Sequence, residues 1–254
     1  MLFIALALLT GSCLNDEIEI FGSGPDLYET NHGTSDFFSR FHYADGKVAS
    51  VEYRGNDGAW QHTYLTIHYE DRSSQKIRSV AYMPSWPNFQ RVDTLYYLSD
   101  LLSLIVRTTI DSGSTVKDTT YFSYDQHGNL IEAKLGRKKL EFLNYVDDNF
   151  GLMRHYINGQ LFAELPIKHD TSRSPFDKLG YLNLVMFRDN YLQGLDYLTK
   201  NNVLSWTCTE YQGTTLVESR LMGIEYDSEK RPIHVTTTRV GDAEFEQDTF
   251  FKYR

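Results

Sequence analysis

Apolar and polar positions alternate along most of this chain with a period of two, the spacing of a strand with one face buried. Tyr121 to Ala133 shows the unit. Phe122 and Tyr124 fall on one face and Tyr121, Ser123 and Asp125 on the other. Asp125 opens a turn by accepting a backbone N–H, Gly128 closes it with a positive φ that no Cβ obstructs, and Leu130-Ile131 restart the extended run. The same reading predicts strands over 37–43, 47–53, 60–69, 76–83, 91–97, 103–110, 117–124, 130–135, 140–145, 153–157 and 160–165. It continues with 203–211, 216–226, 233–240 and 244–253. Asn158-Gly159 predicts a two-residue hairpin.

Between these blocks Pro166 to Asn202 breaks the alternation. Leu184, Phe187, Tyr191, Leu195 and Leu198 recur at three and four, against which Gly180 and Gly194 weaken a helix, so a helical or irregular insertion near 175–200 is expected on the sheet.

The hairpin unit recurs. Tyrosines 43, 69, 97, 124, 145, 226 and 253 each follow an apolar residue and one spacer, and all but the last precede a polar turn and an aliphatic restart. A spacing near 27 residues recurs among them, interrupted by the insertion, and suits two strands and two turns per unit. The expected fold is all-β: a large curved or barrel-like antiparallel sheet built from consecutive hairpins.

The first residues do not fit that fold. Leu2 to Leu9 is an apolar run too short to span a bilayer, followed by Thr10-Gly11-Ser12 and then Cys13. This is the shape of a lipoprotein signal: residues 1–12 removed, Cys13 acylated, and 13–35, rich in Gly, Asp, Asn and Thr, serving as a flexible tether to one domain over 36–254. An ordinary secretory signal is the alternative. The acidic Asp16-Glu17-Ile18-Glu19 resembles a surface-export tag and reads equally as a solvated tether. The only other cysteine, Cys208, shares a strand face with Trp206 and reads as a small buried hydrophobe.

The turns Tyr124-Asp125-Gln126-His127-Gly128-Asn129-Leu130 and Tyr226-Asp227-Ser228-Glu229-Lys230-Arg231-Pro232-Ile233 look like the Tyr-Asp repeats of bacterial surface proteins. Together with the signal, Ser174-Pro175-Phe176 and Lys200-Asn201-Asn202, they make the chain resemble a family of uncharacterised Bacteroidetes lipoproteins with a porin-like antiparallel β fold. The resemblance implies a curved or barrel-like sheet at the outer membrane and no particular activity.

Composition narrows the chemistry. A net charge of −9 disfavours nucleic acid as a partner, leaving the lipid at Cys13 as the expected membrane contact. The eight histidines form no metal-ligand spacing, and His62 and His68, six apart on one strand, lie about 20 Å from each other, too far to share an ion. Asp147-Asp148-Asn149 and Gly55-Asn56-Asp57-Gly58 lack the spacing of a calcium loop and read as solvated turns. No metal, cofactor or catalytic residue is assigned. The best binding candidates are Tyr82, Trp86 and Phe89, since Pro84 and Pro87 flank Trp86 and hold an aromatic out of regular pairing. A Trp capping the sheet core is the competing reading.

Two functions fit. One is a lipid-anchored envelope protein, on the cell surface or alternatively facing the periplasm, that binds a glycan or an outer-membrane protein partner. The other is a hydrolase whose carboxylates meet only in the fold, which a cavity holding two carboxyl groups about 5 to 10 Å apart would favour.

Overall fold

A computed structural model describes residues 27–32, 38–54, 61–82, 89–189, 195–211 and 216–253. Sixteen strands follow one another: β1 Leu27–His32, β2 Phe38–Ala44, β3 Lys47–Arg54, β4 Gln61–Tyr69, β5 Ile77–Tyr82, β6 Phe89–Leu98, β7 Leu101–Asp111 and β8 Ser114–Tyr124. Then come β9 Leu130–Leu135, β10 Lys138–Val146, β11 Asn149–Ile157, β12 Gln160–Arg173, β13 Asn201–Glu210, β14 Leu216–Tyr226, β15 Pro232–Arg239 and β16 Asp242–Tyr253. Each pairs antiparallel with its sequence neighbours, and β1 pairs with β16, so the sheet closes into an up-and-down barrel.

Closure shifts one predicted boundary. Residues 27–32, read from composition as tether, form the strand that joins the two ends of the sheet: Leu27 pairs with Tyr253 and His32 with Thr249. Strand β12 also runs on through Pro166 to Arg173, where the alternation suggests a stop at Leu165. The predicted Asn158-Gly159 hairpin is present, with φ of 54° and 79° at its two residues.

The recurring tyrosines acquire a common structural role. Each lies on the inner face at the end of an even-numbered strand, all at one mouth of the barrel. Six of them donate their hydroxyl to a backbone carbonyl on the strand before: Tyr43 to Leu27 at 2.7 Å, Tyr69 to Val48 at 3.1 Å, Tyr97 to Ile77 at 3.0 Å, Tyr124 to Leu102 at 3.0 Å, Tyr145 to Leu130 at 2.5 Å and Tyr253 to Pro232 at 2.8 Å. Tyr226 donates to the Asp170 carboxylate instead. The aspartate after the tyrosine organises the turn. Asp125 accepts from the N–H groups of His127 and Asn129, and Asp227 from those of Glu229 and Arg231, at 2.8 to 3.0 Å. The motif therefore marks where a strand meets its turn.

A barrel of sixteen strands is wide enough to leave a water-filled channel. Here inward-facing Phe41, Val51, Leu65, Ile105, Phe142, Met153 and Leu165 are at most 1% exposed, and the centre is filled by the β12–β13 connection. That connection contains a 3-10 turn at Asp177–Leu179, helix α1 at Leu182–Asp189 and a second 3-10 turn at Leu195–Tyr197, in keeping with the predicted insertion. α1 carries Leu182, Leu184, Val185, Met186 and Phe187 almost in succession, which spreads apolar side chains around the helix and suits it to burial. The elements of the connection touch inner walls all round the barrel: Tyr181 meets Tyr97 of β6 at 5.1 Å, Phe187 meets Phe142 of β10 at 6.1 Å and Phe176 meets Phe251 of β16 at 5.9 Å between ring centres. The insertion is a plug.

Candidate functional site: the plugged lumen and the tyrosine-ringed mouth

One buried charge network fastens the plug. Asp93 of β6 is fully buried and accepts from Arg107 Nε and Nη2 of β7, each at 2.7 Å, from the Tyr82 hydroxyl at 2.9 Å and from Arg188 Nη1 of α1 at 3.0 Å. Arg188 Nε donates to Thr120 Oγ1 at 2.7 Å, and the same guanidinium contacts Asp118 of β8. Two arginines and two aspartates thus neutralise one another inside the barrel, with each arginine shared or bidentate. The arrangement holds α1 against β6–β8.

Among the described residues, spaces of several sizes lie beside the plug. The largest, 480 Å³, opens between the insertion and the β2–β9 wall at the tyrosine-ringed mouth; Tyr43, Tyr69, Tyr124, Leu130, Tyr181 and Leu198 contribute to its lining. Lys47 also lines it, but its ammonium is committed to the Arg72 and Ser74 carbonyls at 2.7 Å each. A second cleft at this mouth, 340 Å³, is lined by Arg173, Lys178, Lys230 and Arg231 together with Asp177 and Glu229. A third cavity of 90 Å³ lies deeper, between the plug and β13–β16, and contains Asp196. Burial pushes the Asp196 carboxyl up to about 6, and the Tyr69 phenol up to about 12.

The residues singled out in the sequence separate. Tyr82 is 2% exposed and bonded to Asp93, so it faces the lumen as part of the network and does not present a ring to solvent. Phe89 opens β6 near it, and the Arg91 guanidinium lies over both rings, 5.5 Å from the Tyr82 centre and 5.2 Å from that of Phe89. Trp86 and Cys13 lie outside the described residues. Cys208 is buried beside Trp206 on the inner face, and burial pushes its thiol up to about 11. Asn149, in the Asp-Asp-Asn turn, spends its side chain on the Asp147 carbonyl and on Asn201, as a structural turn does. Among the described residues no three His, Cys, Asp or Glu side chains converge as ligands to one ion would.

Sequence reasoning missed Arg188 and Asp196. Arg188 reads only as a basic residue in the last turn of a helix. Asp196 leaves a faint signal, a single acid between Leu195 and Tyr197.

The outer wall of the barrel is mixed, with exposed Tyr96, Tyr121, Val217, Leu221 and Phe250 lying among ion-paired side chains. A barrel in lipid carries an apolar outer band about 25 Å tall around a polar interior. Here the outer wall bears ion pairs between neighbouring strands: Glu29 with Arg40 at 2.9 Å and Lys252 at 2.5 Å, and Arg154 with Glu164 at 2.6 Å. Lys139 with Glu141 on β10 and His234 with Asp248 across β15 and β16 add to them, at 2.6 and 2.8 Å. No helix among the described residues is long and apolar enough to cross a bilayer.

The fold defines a closed, plugged up-and-down barrel, and a solved structure is similar to it in fold. A crystal structure of a porin-like protein from Bacteroides uniformis ATCC 8492 matches with a TM-score of 0.54 over 91% of this chain and 98% of that one, at 10% sequence identity. The likeness is one of architecture. No family model and no curated protein matches the sequence.

Proposed function

We propose that this chain is a non-conducting barrel of the cell envelope, held at the outer membrane by a lipid on Cys13 and serving as a binding module. The observation that carries this reading is the pairing of an ion-paired outer wall with a plugged lumen. Ion pairs across the wall interrupt any apolar band that would match lipid, and the plug fills the centre of the lumen, which on this reading leaves membrane attachment to the acyl chains and function to the mouths. The 480 Å³ cleft is within the size range of small-ligand sites, and its tyrosine and leucine lining suits a flat, partly apolar molecule such as a sugar ring. The acidic stretch after Cys13, with its likeness to a surface-export tag, supports display on the cell surface.

The hydrolase alternative has no support in these spaces. Among the described residues, the 480 Å³ cleft has no carboxylate in its lining, the 90 Å³ cavity has one, and in the 340 Å³ cleft Asp177 and Glu229 are paired with Arg173 and Arg231, each at 3.0 Å.

Cell fractionation with a Cys13→Ala variant tests the reading. The wild type is expected in the membrane pellet and the variant in the soluble fraction. A variant that stays in the pellet through an alkaline carbonate wash would mean that the barrel wall itself sits in lipid. Protease shaving of intact cells then reads which side the domain faces.

A further inference from the structure

Asp196 stands in an unusual position for a carboxylate. The 90 Å³ cavity it lines is walled by the rings of Phe176, Tyr197 and Phe251 and by Met222, Ile224 and Val235. Phe176 lies 4.5 Å from Tyr197 and 5.9 Å from Phe251 between ring centres, so three aromatic faces and edges meet at this space. Asp196 keeps some accessible surface, as a residue lining a cavity does, yet its carboxyl lies deep enough within protein to be desolvated. Among the described residues no hydrogen bond or ion pair reaches that carboxylate; the contacts of Asp196 run through its carbonyl, which accepts from the Ser174 hydroxyl at 3.2 Å and from Thr199 at 3.5 Å. Buried carboxylates are ordinarily paired, because an unpaired one loses its hydration without compensation. This one has a cavity where its partner would be.

An aromatic box with a single carboxylate is the complement of an organic ammonium group, which gains both an ion pair and cation–π attraction there. The volume suits a head of about four or five heavy atoms, since a cavity of about 150 Å³ accepts benzene. The approach to the box adds a second requirement. Ser174 and Pro175 line both the cavity and the 340 Å³ cleft, so the two adjoin, and the cleft carries four cations against two carboxylates, with Asp227 on Arg231 as a third acid at its edge. A simple cation would be repelled on that route. A ligand bearing an acid group behind its ammonium would not.

We propose that the Asp196 cavity and the adjoining basic cleft form one site for a small zwitterion, its ammonium against Asp196 and its acid group among Arg173, Lys178, Lys230 and Arg231. This deepens the reading of the barrel as a binding module, on which it rests, by naming a site and a ligand class. Of the described residues lining the cavity only Tyr197 besides Asp196 is titratable, and the cleft beside it supplies the charged groups.

Isothermal titration of the full-length protein at pH 8 with 4-aminobutyrate, n-butylammonium and n-butanol tests the site. 4-Aminobutyrate is expected to bind with Kd below about 1 mM and tighter than n-butylammonium, and n-butanol not to bind. Asp196→Asn, which removes an unpaired charge and should fold, is expected to weaken both amines at least tenfold. Lys230→Glu should weaken 4-aminobutyrate and spare n-butylammonium. The proposal is overturned if neither amine binds the wild type, if Asp196→Asn binds them equally, or if n-butanol binds as well as they do. Those results would leave the lipid-anchor reading standing, because fractionation of Cys13→Ala reads location and not ligand.

Discussion

Replacing Asp93 by asparagine would test whether the plug is held as described. The substitution keeps the shape of the side chain and removes the charge that four donors share: Arg107 Nε and Nη2, Arg188 Nη1 and the Tyr82 hydroxyl. The two guanidiniums, with side chains 11% and 3% exposed, would then face each other across a neutral amide whose NH2 group meets guanidinium donors. Breaking a buried ion pair by removing one partner costs about 3–5 kcal/mol. Arg188 keeps Asp118, which is 45% exposed at its side chain and so compensates only in part. A loss of about 3–5 kcal/mol is about a fifth or more of the stability of an ordinary domain, and at a urea dependence near 3 kcal/mol per molar it lowers the unfolding midpoint by about 1 to 2 M. The assay is urea unfolding followed by tryptophan fluorescence. A triple variant, Asp93→Leu with Arg107→Met and Arg188→Met, should lose less than Asp93→Asn alone, because the one charge it strands, Asp118, is 45% exposed at its side chain and can be hydrated. A midpoint shift under about 0.3 M for Asp93→Asn would refute the buried network.

Three further outcomes are expected. The Asp196 carboxyl, raised from its usual 3.8 to about 6 by burial, contributes stability that is fully present below pH 3.8 and lost as pH rises through 6. Asp196→Asn should therefore be more stable than the wild type at pH 8, by up to about 3 kcal/mol, and equal to it near pH 3.5, as read from melting temperature against pH. Tyr124→Phe deletes the donor to the Leu102 carbonyl and should cost about 1 kcal/mol in chemical denaturation, whereas Tyr96→Phe, on the outer wall, should change stability by less than about 0.5 kcal/mol. Cys208 is 5% exposed and its thiol is pushed up to about 11, so a thiol reagent at pH 8 should label it far more slowly in the folded protein than in urea; immediate labelling would contradict its burial.

Strands and turns are legible in the sequence because their chemistry is local. Asp125 and Gly128 make their turn with atoms no more than four residues away, so seven residues suffice to read it. The tyrosines can be located but not explained, since each of the six that bond to backbone donates to a carbonyl 15 to 22 residues earlier, a partner set by register. Barrel closure is hidden for a related reason: β1 looks like tether by composition, and its partner β16 lies more than two hundred residues away. The same holds for the site. Arg188 and Asp93 are 95 positions apart, and nothing around either one announces the other. Tyr82 misleads because an aromatic beside a proline-flanked tryptophan looks exposed, while strand parity turns it inward.

The seam between β1 and β16 makes closure of the barrel wait for the last strand. Fifteen of the sixteen strand pairs join neighbours in sequence and can form by local hairpin closure. The sixteenth cannot form until Asp242–Tyr253 has been made, and until then the sheet has two unpaired edges, each a template for another copy of itself. Glu29 is held across the finished seam by Lys252 and across the next strand pair by Arg40, so the charges that latch the barrel shut also sit on a nascent edge, where like-charged strands from separate chains would repel. The 12 residues of β16 therefore decide between a closed monomer and an aggregate, and truncations there should be poorly tolerated out of proportion to the contacts they remove.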